Sequence, residues 1–518
     1  MHDPLDLNGG SGPPSHWLAT AHRRPRPRLE EDLTVDVAVI GGGIAGLVTA
    51  WELARAGREA VVLEADRILS GTTGATTGKV TALHGLTYER LRRTVGTEGA
   101  ELYAAAQQDA VARFAALCAE LDTDAELERR SAFTYVTEPG RAAEVRAETA
   151  AARAAGLDAH FVTETELPFP VAAAVRLDDQ YQFHPAALLT ALADAFTAAG
   201  GRVHEHTRVV DLHERAHIRL ETEDGMVVHA AHAVVATGYP VFVPASLQIR
   251  LSPRHELVVA APLPESADPQ GMYLTPEDRT RSVRTCPYGD GRRLLLVTGE
   301  AFRPGAGDVG TRYARLESWA RRHFPGFGED GAPLRWAGQD VDSVDLLPYV
   351  GHLHPGTQHV YVATGFGGWG MTGGVLAGRL LTAQLLGGPR PSWTELFDPR
   401  RMAPLRTWPD LVREQKDVAG HFLGDRRHLE PAESLDTLMP GSGVVVRDHG
   451  QPRAVQRDRS GVLHSVSARC THQGCLVAYN EAEQTWECPC HGSRFAPDGT
   501  VLQGPATEPL PRRARPDV

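Results

Sequence analysis

The sequence predicts an α/β nucleotide-binding domain with an interleaved α+β substrate subdomain, followed by a small all-β domain. Three observations carry this reading. An apolar strand pattern runs into a glycine-rich turn and a helix near residue 40. From Gly441 onward, short β-type segments alternate with Gly and Asp turns. Four of the six cysteines crowd the last tenth of the chain. At roughly 100–200 residues per domain, the 518 residues suggest about two to four units.

Composition narrows the function classes. With 42% hydrophobic and 23% charged residues, the chain can bury a sizeable core, so global disorder is excluded. Lys and Arg number 53 against 65 Asp and Glu, a net charge of −12. That balance argues against general affinity for nucleic acid or an anionic membrane. No integral membrane segment is predicted. Val360–Gly378 is uncharged, but seven glycines interrupt it, so it reads as a loop entering a helix. Residues 1–32, rich in Pro, Gly, Arg and His, are expected to form a disordered tail. Arg23-Arg24 is followed by prolines and no apolar region, so a cytoplasmic location is expected.

The elements follow in order. Leu33–Ile40 (LTVDVAVI) reads as a buried parallel strand, the run after it as a helix to Ala56, and Ala60–Glu64 (AVVLE) as a second strand. Together they make one βαβ unit. Thr87–Leu121 reads as one long helix, and His184-Pro185 opens another. Strands are expected at Phe133–Thr137, Arg202–Leu212, His217–Thr222, Met226–Ala236, Leu257–Ala261, Leu294–Thr298 and Val360–Ala363. The nucleotide-binding unit is thus placed at 33–388, a Pro- and Arg-rich connector with one helix near 411–422 at 389–440, and the all-β domain at 441–518.

Gly41, Gly43 and Gly46 spell G-x-G-x-x-G around Ile44 and Ala45. The first glycine makes the tight turn, the second lets backbone approach a pyrophosphate, and the third lets helix pack on strand. The helix N-terminus then offers free N–H groups to phosphate. Glu64, at the end of the next strand, suits a ribose hydroxyl and favours FAD or NAD over NADP. Two later segments favour FAD: AVVATG, ending at Gly238, and the loop with Gly365, Gly367 and Gly368, whose N–H groups could reach a flavin.

With VAVIGGGIAGLVTAWELARAG, GTTGATTG, HPAALLTALADAFTAAGGRV, WAGQDVDSVDLLPYVG and VYVATGFGGWGMTGG, the stretch from Leu33 to Gly388 resembles the D-amino-acid-oxidase-like FAD-dependent oxidoreductases. The resemblance implies that Gly41, Gly43, Gly46 and Glu64 contact the ADP half of FAD. It also implies that the Gly71–Gly78 and Gly365–Gly374 loops flank the flavin. Amino-acid oxidases of this group often place a carboxylate-binding arginine where Asp340 falls here. A carboxylate there would hold an ammonium, so an amine or polyamine is expected as substrate. The alternative reading of Asp340 is a surface or capping residue. His84, Arg254, His255 and Tyr288 stand on the substrate side without an assigned role, Lys79 reads as solvated, and Cys118 reads as core.

Cys470-Thr-His472 and Cys488-Pro-Cys490-His491 each offer one thiolate and one imidazole, a set suited to zinc or an iron–sulfur cluster. A further cysteine in each loop, Cys475 and Cys490, favours the cluster. With CTHQGC, TWECPCHGSRF and DGTVLQGPA, residues 441–510 resemble a Rieske [2Fe–2S] domain of cytochrome bc complexes. The resemblance implies that Cys470 and Cys488 bind one iron, His472 and His491 the other, and that Cys475 and Cys490 form a disulfide. Ser493 matches a residue that hydrogen-bonds the cluster in high-potential members. Phe495 stands where those members often carry a tyrosine. The midpoint is therefore expected below the top of the class range, roughly −150 to +300 mV.

The expected function is oxidation of an amine or amino-acid-like compound at FAD. Electrons would pass through the chain's own cluster to an acceptor protein or quinone. The alternatives are the reverse flow, in which the cluster feeds the flavin for substrate reduction or hydroxylation, and a non-enzymatic redox sensor.

Overall fold

Leu33–Ile40 sits at the middle of the first sheet, because both of its faces are covered and its side chains are apolar from Val37 on. The computed structural model describes residues 14–277, 279–402 and 430–513, with single positions 412, 413, 416 and 420. The strand pairs in parallel with Ala60–Leu63 on one side and Val227–Val235 on the other. Val360–Thr364 continues the sheet in parallel, and Tyr349–His352 closes that edge antiparallel. The helices Ile44–Arg55 and Gly370–Leu385 cover one face. They touch almost backbone to backbone: a Cβ on Gly374 would lie 3.2 Å from the Ala45 nitrogen, and one on Gly378 would lie 3.1 Å from the Thr49 nitrogen.

The second sheet has nine strands and is mostly antiparallel. Leu334–Ser343 forms one edge, Leu251–Pro264 pairs with it and with Arg292–Phe302, and Lys79–Val80 lies at the opposite edge. The chain passes between the two sheets several times, so this subdomain is interleaved with the nucleotide-binding one. The predicted helix over Thr87–Leu121 is two helices, Thr87–Thr94 and Gly96–Leu121. Gly96 takes φ +83° at the break, a conformation that an ordinary helix residue avoids.

The C-terminal domain is two four-stranded sheets. It begins earlier than the sequence suggests: Glu430–Pro431 pairs in parallel with Gly443–Asp448, so its first strand lies in the predicted connector. The connector's start also differs, because Trp393 and Phe397 are buried in the main core. The helix expected near 411–422 lies largely outside the described residues.

The tail needs a second correction. Residues 1–13 lie outside the described part, but from Pro14 on the segment is ordered. Ser15 caps the helix His16–Thr20, Trp17 is fully buried, and Arg26 pairs with Asp194 at 2.6 Å. A single tryptophan buried against the first sheet's helices outweighs the polar composition around it.

Candidate active site and metal centre

A cavity of about 320 Å³ opens over the carboxyl ends of the parallel strands, where an α/β sheet binds its ligand. Gly41, Gly43, Ile44, Ala45 and Glu64 line it from the first βαβ unit. Gly238 and Gly368 line it from the later loops. Gly46 does not face the cavity. It supports the turn from beneath, where a Cβ would sit 2.0 Å from the Gly41 carbonyl oxygen. Gly365 only shapes its loop, and Gly367 faces the neighbouring cavity. A Cβ on Gly43 would meet only the Thr73 hydroxyl, at 3.0 Å, so the turn's backbone stands bare to the cavity. The first helical N–H, of Ile44, donates to Thr73 Oγ1 at 3.1 Å. Glu64 accepts from the Gly42 N–H at 2.7 Å and the Asp66 N–H at 3.0 Å, and burial pushes its pKa up. A bare glycine turn, a helix N-terminus and a carboxylate one strand away fit a dinucleotide such as FAD.

A second cavity of about 170 Å³ adjoins the first, and Thr72, Thr76, Asp340 and Gly368 line both. Its charged walls are Lys79, Arg254, Glu256 and Asp340. Asp340 therefore stands where the two spaces meet. Its Oδ2 accepts from the Gly368 N–H and its Oδ1 from the Val341 N–H, and burial raises its pKa. The carboxylate thus caps the glycine loop and faces the cavity at once. Arg254 pairs with Asp342 at 3.4 Å.

Lys79 is not the solvated residue its sequence position suggested. It lines this cavity, donates to Ser282 Oγ, and approaches the Trp369 ring to 5.8 Å. Burial lowers its pKa to about 8. Among the described residues no carboxylate lies within ion-pair distance of it, and Glu256 acts on it from farther off. Glu256 went unremarked in the sequence. Its signal was alternation: Arg254 and Glu256 are two apart on one strand and so share a face.

The other substrate-side residues lie elsewhere. His84 stacks behind Trp369 at 4.3 Å and is satisfied by Tyr103 and Thr81, with burial lowering its pKa to about 3. Tyr288 is exposed beside His16 and Arg292. His255 is fully buried between the two domains. Cys118 is buried in the core, as expected.

The two C-terminal loops converge. Cys475 and Cys490 are joined as a disulfide, with Cα atoms 6.6 Å apart, and both are buried. Sulfurs of Cys475, Cys488 and Cys490 lie within 4.8 Å of one another. The disulfide occupies two of them, which leaves Cys488 to act with Cys470. The two thiols act on each other, so that the pKa of Cys470 is held down and that of Cys488 is pushed well up. His472 and His491 lie edge to face at 4.9 Å. Burial lowers both pKa values to about 4, so the rings are neutral. Each ring leaves Nδ1 buried without a hydrogen-bond partner. Two free thiols and two orphaned imidazole nitrogens are a donor set that fits a two-iron cluster. Ser493 helps hold the Cys470 pKa down and accepts from the Ala506 N–H at 3.0 Å, while Phe495 is fully buried.

The metal centre is docked on the flavin domain. Gln339 donates to the Gly492 carbonyl at 2.9 Å and accepts from His255 Nε2 at 2.7 Å. Glu487, fully buried, accepts from the Gly305 N–H at 2.9 Å. Tyr239, next to Gly238, stands edge-on to His491 at 5.9 Å. Gln473 donates to Gln248 at 2.6 Å.

The family model for FAD dependent oxidoreductases (DAO) matches residues 36–384, and that for the Rieske [2Fe-2S] domain matches residues 430–513. The chain belongs to the FAD dependent oxidoreductase family. It binds FAD in its large domain and a [2Fe–2S] cluster in its C-terminal one. Along nearly its whole length it is 31% identical to the Rieske 2Fe-2S iron-sulfur protein YhfW of Bacillus subtilis (strain 168), covering 96% of this chain and 97% of that one. The C-terminal part is 51% identical over 101 residues to cytochrome b6-f complex iron-sulfur subunit 3 of Nostoc sp., covering 18% of this chain and 51% of that one. Glycine oxidase from Geobacillus kaustophilus shares the large domain's fold, with TM-score 0.58 and 22% identity over 71% of this chain and 99% of that one. L-amino acid deaminase from Proteus vulgaris does so too, with TM-score 0.58 and 15% identity over 74% of this chain and 100% of that one. No helix among the described residues is long and apolar enough to cross a membrane.

Proposed function

We propose that the protein oxidises a small amino compound at the flavin and passes the electrons through its own Rieske cluster to an external acceptor, a protein or a quinone. Bound FAD supplies the chemistry, accepting a hydride from a C–H beside nitrogen. Gly41, Gly43, Ile44, Ala45 and Glu64 would hold its ADP half, and Gly238 and Gly368 its flavin half. Cys470 and Cys488 would hold one iron and His472 and His491 the other.

The substrate would occupy the smaller cavity, whose walls carry both signs of charge. Asp340 and Glu256 offer carboxylates to an ammonium, and Lys79 offers an ammonium to an acidic group. The sequence alone pointed to amines and polyamines because Asp340 replaces an arginine. Lys79 widens that reading to amino acids and other amino compounds that carry an acid group. Lys79 is half-buried with Glu256 of the same cavity as a more distant counter-charge, and a substrate acid group would supply a direct one.

The observation that carries the electron path is Gln339. Its backbone carbonyl accepts from Thr72, which lines both cavities, and its side chain donates to Gly492, next to His491. One residue therefore joins the reaction space to the cluster loop. The test is anaerobic mixing of holoenzyme with a panel of amines, polyamines and amino acids. Flavin absorbance and the Rieske EPR signal are followed in the same samples. The expected result is flavin bleaching by an amino compound, followed by the reduced-cluster signal. Bleaching without that signal would break the internal path. No bleaching, with the signal produced by chemical reductant alone, would break the substrate class and turn attention to reverse flow.

A further inference from the structure

We propose that the Rieske domain forms the outer wall of the FAD site, so that FAD is retained only while that domain is docked. The inference rests on the reading that FAD occupies the larger cavity. That cavity is not a pocket of the large domain alone. Opposite the Gly41 turn it is lined by Leu502, Gln503, Gly504, Ala506 and Thr507 of the C-terminal domain. Arg494, from the strand beside the second cluster loop, lines it as well.

This wall is fastened on both sides. Toward the large domain, Arg208 donates to the Val501 carbonyl at 2.9 Å, and the Thr207–Val209 stretch itself lines the cavity. A Cβ on Gly504 would stand 3.2 Å from Val241, so the two surfaces touch there. Toward the metal centre, the Ala506 N–H donates to Ser493 at 3.0 Å, and Thr471 donates to the Glu508 carbonyl at 2.6 Å. The segment is thus tied to both cluster loops. Arg494 is held by Glu483 at 3.5 Å and Glu487 at 3.7 Å. The physical consequence is a linkage. A ligand enclosed by two bodies leaves only when one of them moves, and loosening the cluster loops loosens the wall.

The test measures FAD release from loaded, full-length protein by the rise in free-flavin fluorescence after dilution. The variants Leu502→Ala and Thr507→Ala remove wall surface without touching a cluster ligand. They are expected to speed release about tenfold while the Rieske EPR amplitude stays at the wild-type level. Removal of the cluster from wild-type protein with a chelator is expected to speed release to a similar degree. This arm stands even where a variant fails to fold. Gly41→Ala separates the two readings, since its Cβ would strike the Ala236 carbonyl oxygen at 2.5 Å and disrupt the turn. Loss of FAD in Gly41→Ala, together with release within twofold of wild type in both wall variants and after chelation, would overturn this inference and leave the site intact. Full FAD content in Gly41→Ala would overturn the site itself.

Discussion

The candidate metal centre and the proposed substrate cavity are built by opposite means. All the proposed cluster donors come from two short loops, 470–475 and 488–491, within one small domain. The cavity draws Lys79 from one edge strand of the sheet, Asp340 from the opposite edge strand, Glu256 and Arg254 from the strand beside that one, and Gly368 from a loop near the end of the large domain. A metal dictates its ligands' types and spacing, so the pattern is local. A small organic substrate is held by whichever side chains the sheet brings to one face, so its pattern exists only after folding.

The sharpest test of this contrast is loss of a proposed ligand. Cys488→Ser leaves the two imidazoles and Cys470 without the fourth donor. The Rieske EPR signal is expected to vanish entirely. Flavin bleaching by the preferred substrate should persist with FAD in excess, because Cys488 lines neither cavity. Loss of bleaching as well would show that the two regions are not separable in this way.

How much could be read in advance follows the same division. The β-strand Leu33–Ile40, the glycine turn and Glu64 were legible because a mononucleotide-binding unit is about thirty consecutive residues. The cluster loops and the Cys475–Cys490 pair were legible through the family resemblance those loops carry. Lys79 was not, since a lysine after a glycine loop is usually solvated, and only the packing of Ser282 and Trp369 around it reveals burial. The C-terminal segment 501–507 was unreadable as a cofactor wall, because its partners, Arg208 and Val241, lie more than 250 residues away. Trp17 and the strand Glu430–Pro431 were hidden for a different reason. Each is a short apolar or paired element inside a Pro- and charge-rich stretch, and composition averages it away.

Lys79 offers the next largest effect. Lys79→Met keeps the length and removes the charge. For a substrate with an acid group, kcat/KM is expected to fall about 10–100-fold, the scale of one charged hydrogen bond. For a substrate lacking that group the change should be small. The pH dependence has a definite sign. Burial lowers the Lys79 pKa to about 8, so the ammonium is present below that pH and lost above it. In wild type, kcat/KM for the acid-bearing substrate should decline above about pH 8, and Lys79→Met should abolish that limb. An equal loss for both substrate types would assign Lys79 to the architecture of the cavity and not to recognition.

Phe495 gives the smallest effect and tests how closely the metal centre follows its relatives. The ring is fully buried beside Trp486 in the apolar cluster that also holds Cys470 and Cys488. Phe495→Tyr adds one hydroxyl there. If that hydroxyl donates to a cluster or cysteine sulfur, it favours the reduced, more negative state. A net hydrogen bond of about 0.5–1.5 kcal/mol then corresponds to a midpoint rise of about 20–60 mV for a one-electron couple. Ser493 acts on Cys470 from a separate position, helping to hold its pKa down, so the shift should survive in a Ser493→Ala background, displaced downward by the loss of that effect. The measurement is an EPR-monitored redox titration paired with thermal unfolding. A raised midpoint with unchanged Tm means that the hydroxyl is satisfied by sulfur. An unchanged midpoint with a lower Tm means that it is buried unpaired, at about 1–3 kcal/mol, and that the phenylalanine is retained for packing.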